Sequence, residues 1–250
     1  MPSSVPVSQH SPLRPQPLRD VLRTVTATRA AGRTPVVVFD LDHTLFDNGP
    51  RTWAILAEYL DAKGPKEVRS RLDSLPRFNL PYLLKDILRG PLELADPELE
   101  RALFDYWFAR FFQDAWIDRD VPYDGAVAFV QEVFDAGATV VYLTGRDSPN
   151  MLIGTAASLR AHGFPVGVAH TALVLKPKFE IPDAEFKKDA VGFIATLGDV
   201  VAFLDNEPAN CNVAVRAWPR CHALFMDTVR APGPLDLDPD VATYARYEDP

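Results

Sequence analysis

The sequence predicts an α/β protein: a Rossmann-like, doubly wound parallel sheet with an all-helical segment inserted after the first strand. Three observations predict it. Short apolar runs recur at Val36–Phe39, Thr139–Leu143, Val200–Leu204 and Ala223–Met226, the first two rich in β-branched residues, the pattern of strands covered on both faces. Amphipathic helical stretches separate the later runs, and that alternation specifies parallel strands joined by crossover helices. Between Asp47 and about Tyr123 no good strand occurs, and the apolar residues fall at helical spacing.

In chain order, residues 1–17 are rich in Pro and Ser and are expected to be a disordered segment. Leu18, Val21, Leu22 and Val25 mark a short helix that Gly32 is placed to end. The first strand follows at 36–40. In the insertion, Trp53, Leu56, Ala57 and Leu60 share one helical face, as do Leu99, Leu103, Trp107 and Phe111, with a shorter helix over Leu80–Leu88. The aromatic run Tyr106-Trp107-Phe108 with Phe111, Phe112 and Trp116 reads as the core of a small helical bundle in preference to a substrate cavity wall. Helices are then expected over 126–134, 149–162, 184–197 and 209–217, alternating with strands at 139–143, within 166–175, at 200–204 and at 223–226. The division is residues 18–47 and 124–227 for the α/β core, 48–123 for a helical cap, and 228–250 for a Pro- and Asp-rich tail on the surface.

A net charge of −8 argues against a nucleic-acid or anionic-membrane binder. Cys211 and Cys221 have neither metal-ligand nor redox spacing and read as reduced thiols. With no apolar run of membrane-spanning length and no signal-peptide pattern, the expected location is cytoplasmic. Oligomeric state is not legible.

Polar groups end three of the apolar strands: Asp40, Asp42 and Thr44; Thr144; and Asp205 with Asn206. Strand ends on one side of a doubly wound sheet meet at a common crevice. A carboxylate at the tip of a buried strand is costly to desolvate unless a cation or a chemical task compensates it. Asp40 is therefore a candidate nucleophile or metal ligand.

Asp40-Leu41-Asp42-His43-Thr44, Leu143-Thr144-Gly145-Arg146, Lys187 and Leu204-Asp205-Asn206 resemble, in order and spacing, the four motifs of the haloacid dehalogenase superfamily of phosphohydrolases. The helical insertion lies where that superfamily carries a C1-type cap. The resemblance implies a phosphatase acting on a small phosphorylated molecule. Asp40 would be the nucleophile that forms an aspartyl-phosphate, and Asp42 the acid and base for leaving alcohol and water. Thr144, with Gly145 and Arg146, would contact the phosphoryl oxygens, and Lys187 would offset the collected charge; Arg146 reads equally well as a solvated loop arginine. Mg²⁺ would be held by Asp40, the Asp42 main-chain carbonyl and Asp205, with Asn206, Glu207 or Asn210 completing the set. Lys187 is preferred over Lys188 and Lys176 because Ala190 and Ile194 put it beside the buried face of its helix. His43 is expected to point away from the site by alternation. Arg51, Arg77, Lys85 and Arg89 could read a second anionic group, or be solvated surface charges. Asp42 argues against dehalogenation, since halide leaves without a proton. A phosphoryl transferase or mutase, and a non-catalytic regulatory protein of the same fold, are the alternatives.

Overall fold

The uninterrupted apolar run at Val36–Phe39 becomes the centre of the molecule. The computed structural model describes residues 14–248; the disorder expected of residues 1–13 lies outside them. Residues 14–17 differ from that expectation. Arg14 is buried, donating to both Glu132 carboxylate oxygens (2.9 and 2.7 Å) and to the Tyr247 carbonyl (2.7 Å). The first helix already begins at Gln16.

Elements follow in the order α1 (Gln16–Ala30), β1 (Pro35–Phe39), β2 (Phe46–Asp47), α2 (Gly49–Lys63), α3 (Lys66–Ser74), α4 (Leu84–Arg89), α5 (Pro97–Phe111), a 3₁₀ turn (Asp114–Arg119), β3 (Val121–Pro122), α6 (Ala126–Asp135), β4 (Thr139–Asp147), α7 (Ser148–Ala161), β5 (Thr171–Lys176), α8 (Asp183–Ala195), β6 (Asp199–Asp205), α9 (Pro208–Ala217), β7 (His222–Met226) and β8 (Ala242–Tyr244). Among the described residues the main sheet has six strands in the order β5-β4-β1-β6-β7-β8, all parallel. β1 lies between β4 and β6, so the strand that leads into Asp40 has the second and fourth motif strands as its neighbours.

Side-chain alternation on β1 builds both layers. Val37 and Phe39 join Leu18, Val21 and Val25 of α1 and Phe129 and Val133 of α6 in one core. Val36 and Val38 face Phe186, Ala190 and Ile194 of α8 on the other side. The insertion has its own core around Leu56, Leu60, Leu72, Leu84, Leu88 and Leu103. Its entry and exit are stitched by the antiparallel pair β2–β3. Asp96 caps α5 by accepting from the Glu98 and Leu99 amides.

The tail departs from the expected surface location. β8 adds to the sheet edge, and Tyr244 and Tyr247 are buried in the main core. The Tyr247 hydroxyl donates to the Thr44 carbonyl at 3.0 Å while its ring lies 5.7 Å from Phe129. The tail thus braces the turn that carries the aspartates. Tyr247→Ala should cost about 3–5 kcal/mol, read by chemical denaturation; a change below about 1 kcal/mol would contradict this packing.

Candidate active site

β1 stops at Phe39, and Asp40 follows on a backbone still tied to the sheet through its amide, which donates to the Leu204 carbonyl at 2.9 Å. Asp42 comes next, and then His43 with φ 59°, in the left-handed region. That turn breaks the strand alternation, so His43 lines the same cavity as Asp40 and Asp42 instead of pointing away. Its Nδ1 is buried without a partner, and burial lowers its pKa. The cavity measures about 610 Å³ and opens between the insertion and the carboxyl ends of the strands.

At its floor two carboxylates share one ammonium. Lys187 Nζ donates to Asp40 Oδ1 and Asp205 Oδ2, each at 2.7 Å. All three residues are buried. Burial pushes Asp40 up to about 7 against the pull of Lys187, with the charges of Asp205 and Asp42 acting in the same direction as burial. For Lys187 burial works downward, but the two carboxylates outweigh it and hold the ammonium well above its ordinary range. Thr44 Oγ1 donates to Asp40 Oδ2 (3.0 Å) and lies 3.4 Å from Asn206 Oδ1. Asp205 also accepts from the Glu207 amide (2.8 Å) and from Asn210 Nδ2 (3.1 Å to each oxygen).

Lys188 is exposed, and Lys176 is tied to Asp183 (2.8 Å) and to the Phe179 and Ile181 carbonyls. Lys187 alone of the three meets Asp40. Glu207 is turned toward the Ala231 amide (2.8 Å). Asp40, Asp42, Gly145, Arg146, Lys187 and Asn206 line the cavity, whereas Thr144 and Asp205 are fully buried behind it. Thr144 Oγ1 accepts from the Arg146 amide at 3.2 Å. A β-carbon at Gly145 would meet the Asp183 carboxylate, so a side chain there would have to displace that carboxylate from its place beside Lys176.

Arg146 is not a solvated loop residue. It is 4% exposed and grips Asp42 with two parallel bonds, Nε to Oδ2 (2.9 Å) and Nη2 to Oδ1 (2.8 Å). The same Nη2 donates to Asp120 Oδ2 at 2.7 Å, and Nη1 to Thr155 Oγ1 at 3.2 Å. Arg51, fully buried, completes the cluster: Nη2 reaches Asp42 Oδ1 (3.2 Å) and Asp120 Oδ2 (3.1 Å), and Nε makes a 2.9 Å ion contact with Asp120 Oδ1 that is not an aligned hydrogen bond. Burial pushes Asp42 upward, but Arg146, Arg51 and Asn48 outweigh it and hold its carboxyl far below the usual range. Burial raises Asp120 to about 6 despite both guanidinium groups.

Asp120 was not singled out in the sequence. It lies 69 residues from Arg51, and an Asp-Arg-Asp run before a short strand carries no signal of burial. The aromatic run divides between the two readings. Tyr106 and Trp107 pack against the core of the insertion as expected, whereas Trp107, Phe111 and Phe112 line the cavity together with Phe104, and in α5 only Leu103 is buried. Helical spacing shows which residues share a face but not what that face meets.

Among the described residues no group of three or more His, Cys, Asp or Glu side chains is arranged to hold a metal ion. The expected set differs in kind, being two carboxylates, a main-chain carbonyl and an amide oxygen. The donor chemistry fits a hard cation. Asp40 and Asp205 are two buried carboxylates with a single ammonium between them, and Asn206 Oδ1 converges with Asp40 Oδ2 on Thr44.

Comparison with solved structures places the architecture. A Clostridium difficile protein described as a candidate phosphatase superposes with a TM-score of 0.56 at 14% identity, covering 84% of this chain and 94% of that one. A haloacid dehalogenase-like hydrolase from Streptococcus pneumoniae (TM-score 0.49, 12% identity, 86% and 95% covered) and a subfamily IA hydrolase of that superfamily from Geobacter sulfurreducens (0.49, 10%, 85% and 92%) align less closely. No family model and no curated protein matches the sequence. The chain shares the fold of the Clostridium difficile protein, and its own architecture is a Rossmann-like α/β core with helices inserted after its first strand. At these identities the likeness is one of fold.

Proposed function

We propose that the chain is a Mg²⁺-dependent phosphatase that hydrolyses a small phosphomonoester through an aspartyl-phosphate on Asp40. One observation carries the reading: carboxylates from the ends of two neighbouring strands, Asp40 and Asp205, meet one buried ammonium at 2.7 Å beside a cavity of substrate size. Burying that much charge is costly, and a structural ion pair needs only one carboxylate.

Phosphoryl transfer is mainly a matter of positioning and of compensating charge on the equatorial oxygens. Asp40 supplies the attacking oxygen. Lys187 and Thr44 fix that carboxylate from two sides, which limits the reorganisation needed for in-line attack. Asp40, the Asp42 carbonyl, Asp205 and Asn206 are the residues that would hold Mg²⁺, which when bound would supply positive charge to offset the negative charge of the carboxylates and the phosphoryl group.

Asp42 stands within the pair of guanidinium groups as an anion. To protonate the leaving alcohol it must gain a proton, which the clamp opposes. A dianionic phosphate entering beside Arg146 competes for the same guanidinium, and that competition raises the Asp42 pKa so that it takes up a proton from solvent, gives it to the leaving alcohol oxygen as the P–O bond breaks, and then, again a carboxylate, accepts a proton from the attacking water. The free thiols of Cys211 and Cys221 suit a reducing compartment, which supports a cytoplasmic location; no described helix is long and apolar enough to cross a membrane.

Chelation with EDTA should abolish turnover of a phosphomonoester, and excess Mg²⁺ should restore it. Mg²⁺ should also raise the thermal midpoint of the free protein, because a ligand of the folded state stabilises it. Full turnover in EDTA, with no shift of the midpoint on adding Mg²⁺, would contradict the metal reading.

A further inference from the structure

The reaction proposed above leaves the alcohol portion of the substrate unspecified, and the cavity wall bears on it. The insertion contributes Tyr82, Phe104, Trp107, Phe111 and Phe112 to that wall. Trp107 stacks on Phe111 at 4.5 Å and 28°, and Phe112 meets Phe111 edge-on at 5.0 Å, which makes a rigid aromatic block. Phe112 also meets Phe179 of the core at 5.0 Å, so the block spans from insertion to core. Tyr82 and Phe104 keep 48% and 45% of their surface exposed. They are the rings with surface left to cover.

The charges point the same way. Arg51 is spent on Asp42 and Asp120. Arg77 lies over the Trp53 ring at 4.0 Å, Arg89 pairs with Glu100, and neither lines the cavity. Arg146 and Lys187 are engaged with carboxylates. Lys85 is the remaining lining cation among the described residues, and Asp183 and Glu207 line the same space. A second phosphate or carboxylate on the substrate would find Lys85 as its one counter-charge on this wall, set against the carboxylates of Asp183 and Glu207. A polyol would surrender hydration to aromatic surface.

Resting on the phosphatase reading, we propose that this chain selects phosphomonoesters whose alcohol carries a flat, uncharged aromatic ring, and discriminates against sugar phosphates and bisphosphates. Tyr82 and Phe104 are the specificity-determining residues. Such a ring covers their free surface and gains stacking geometry, whereas a chain of hydroxyls gains neither.

The test compares kcat/KM for 2-phenylethyl phosphate, glycerol phosphate and a hexose 6-phosphate. All three are alkyl esters, so leaving-group acidity does not decide the ranking as it would with an aryl phosphate. The phenyl ester should be preferred by about tenfold or more. Tyr82→Ala and Phe104→Ala, at half-exposed positions where the fold is retained, should raise its KM several-fold with a smaller change in kcat. Equal kcat/KM for all three esters, or unchanged KM in both variants, would overturn the specificity while leaving the phosphatase reading intact. If the wild-type protein with Mg²⁺ hydrolyses no ester, that reading fails by itself. Calorimetric binding of a phenylalkyl phosphonate against a hydroxyalkyl phosphonate of equal length then decides the inference independently: tighter binding of the phenyl compound upholds it, and equal binding overturns it.

Discussion

Asp40→Asn is expected to lower kcat/KM by roughly 10³ or more while leaving the far-ultraviolet circular dichroism unchanged. The amide keeps the size, its oxygen can still accept from Lys187 and its NH2 group can donate to the Thr44 hydroxyl, but it is a much poorer nucleophile than a carboxylate. It also removes one of the two negative charges around Lys187, so the fold loses an attraction without gaining an orphaned anion. Asp205 remains to pair the ammonium at 2.7 Å. A variant that retains wild-type turnover would refute Asp40 as nucleophile, and one that fails to fold would show that the carboxylate is held for stability.

A large effect on stability is expected at Arg146 as well. Arg146→Met keeps the volume but deletes the bonds to Asp42, Asp120 and Thr155. Asp120 is fully buried and would be left with Arg51 alone. Breaking a buried pair by removing one partner costs about 3–5 kcal/mol, or about 10 °C in thermal midpoint for a chain of this size. Arg146→Lys should recover little, because a point charge cannot reproduce a two-pronged grip on Asp42 together with a bond to Asp120. The pH dependence should change as well. Asp42 has its folded pKa depressed, so its ionised form contributes stability above its unfolded value of about 4, which is lost as pH falls toward the folded value. In Arg146→Met that acid-side loss should become shallower. A midpoint within 2 °C of wild type would contradict the cluster's role.

The strands were legible wherever both faces are covered. The apolar runs at 36–39, 139–143, 200–204 and 223–226 each lie within a strand of the sheet, since a run buried on both faces advertises itself without any partner. Lys187 was legible for a related reason: Ala190 and Ile194 fix the buried face of α8, and that face leads to Asp40. The tail hid its contribution because Tyr244 and Tyr247 are isolated aromatics in a Pro- and Asp-rich context. The guanidinium cluster was hidden because it is made by pairing across long separations: Asp42 with Arg146 over 104 residues, and Arg51 with Asp120 over 69. Nothing local marks an arginine as buried when its compensation arrives from another part of the chain. The second role of the insertion, as a cavity wall, depends on how α5 stands over the strand ends, and periodicity carries no information about that.

The central claim is that a phosphoryl group passes through Asp40. It is tested most directly by mixing the Mg²⁺-loaded protein with a ³²P-labelled phosphomonoester, quenching in acid within the first turnover, and mapping the labelled peptide. The account predicts acid-stable, hydroxylamine-labile label on the peptide containing Asp40 and none on Asp40→Asn. Steady turnover with no label on any peptide, or label on another residue, would contradict it.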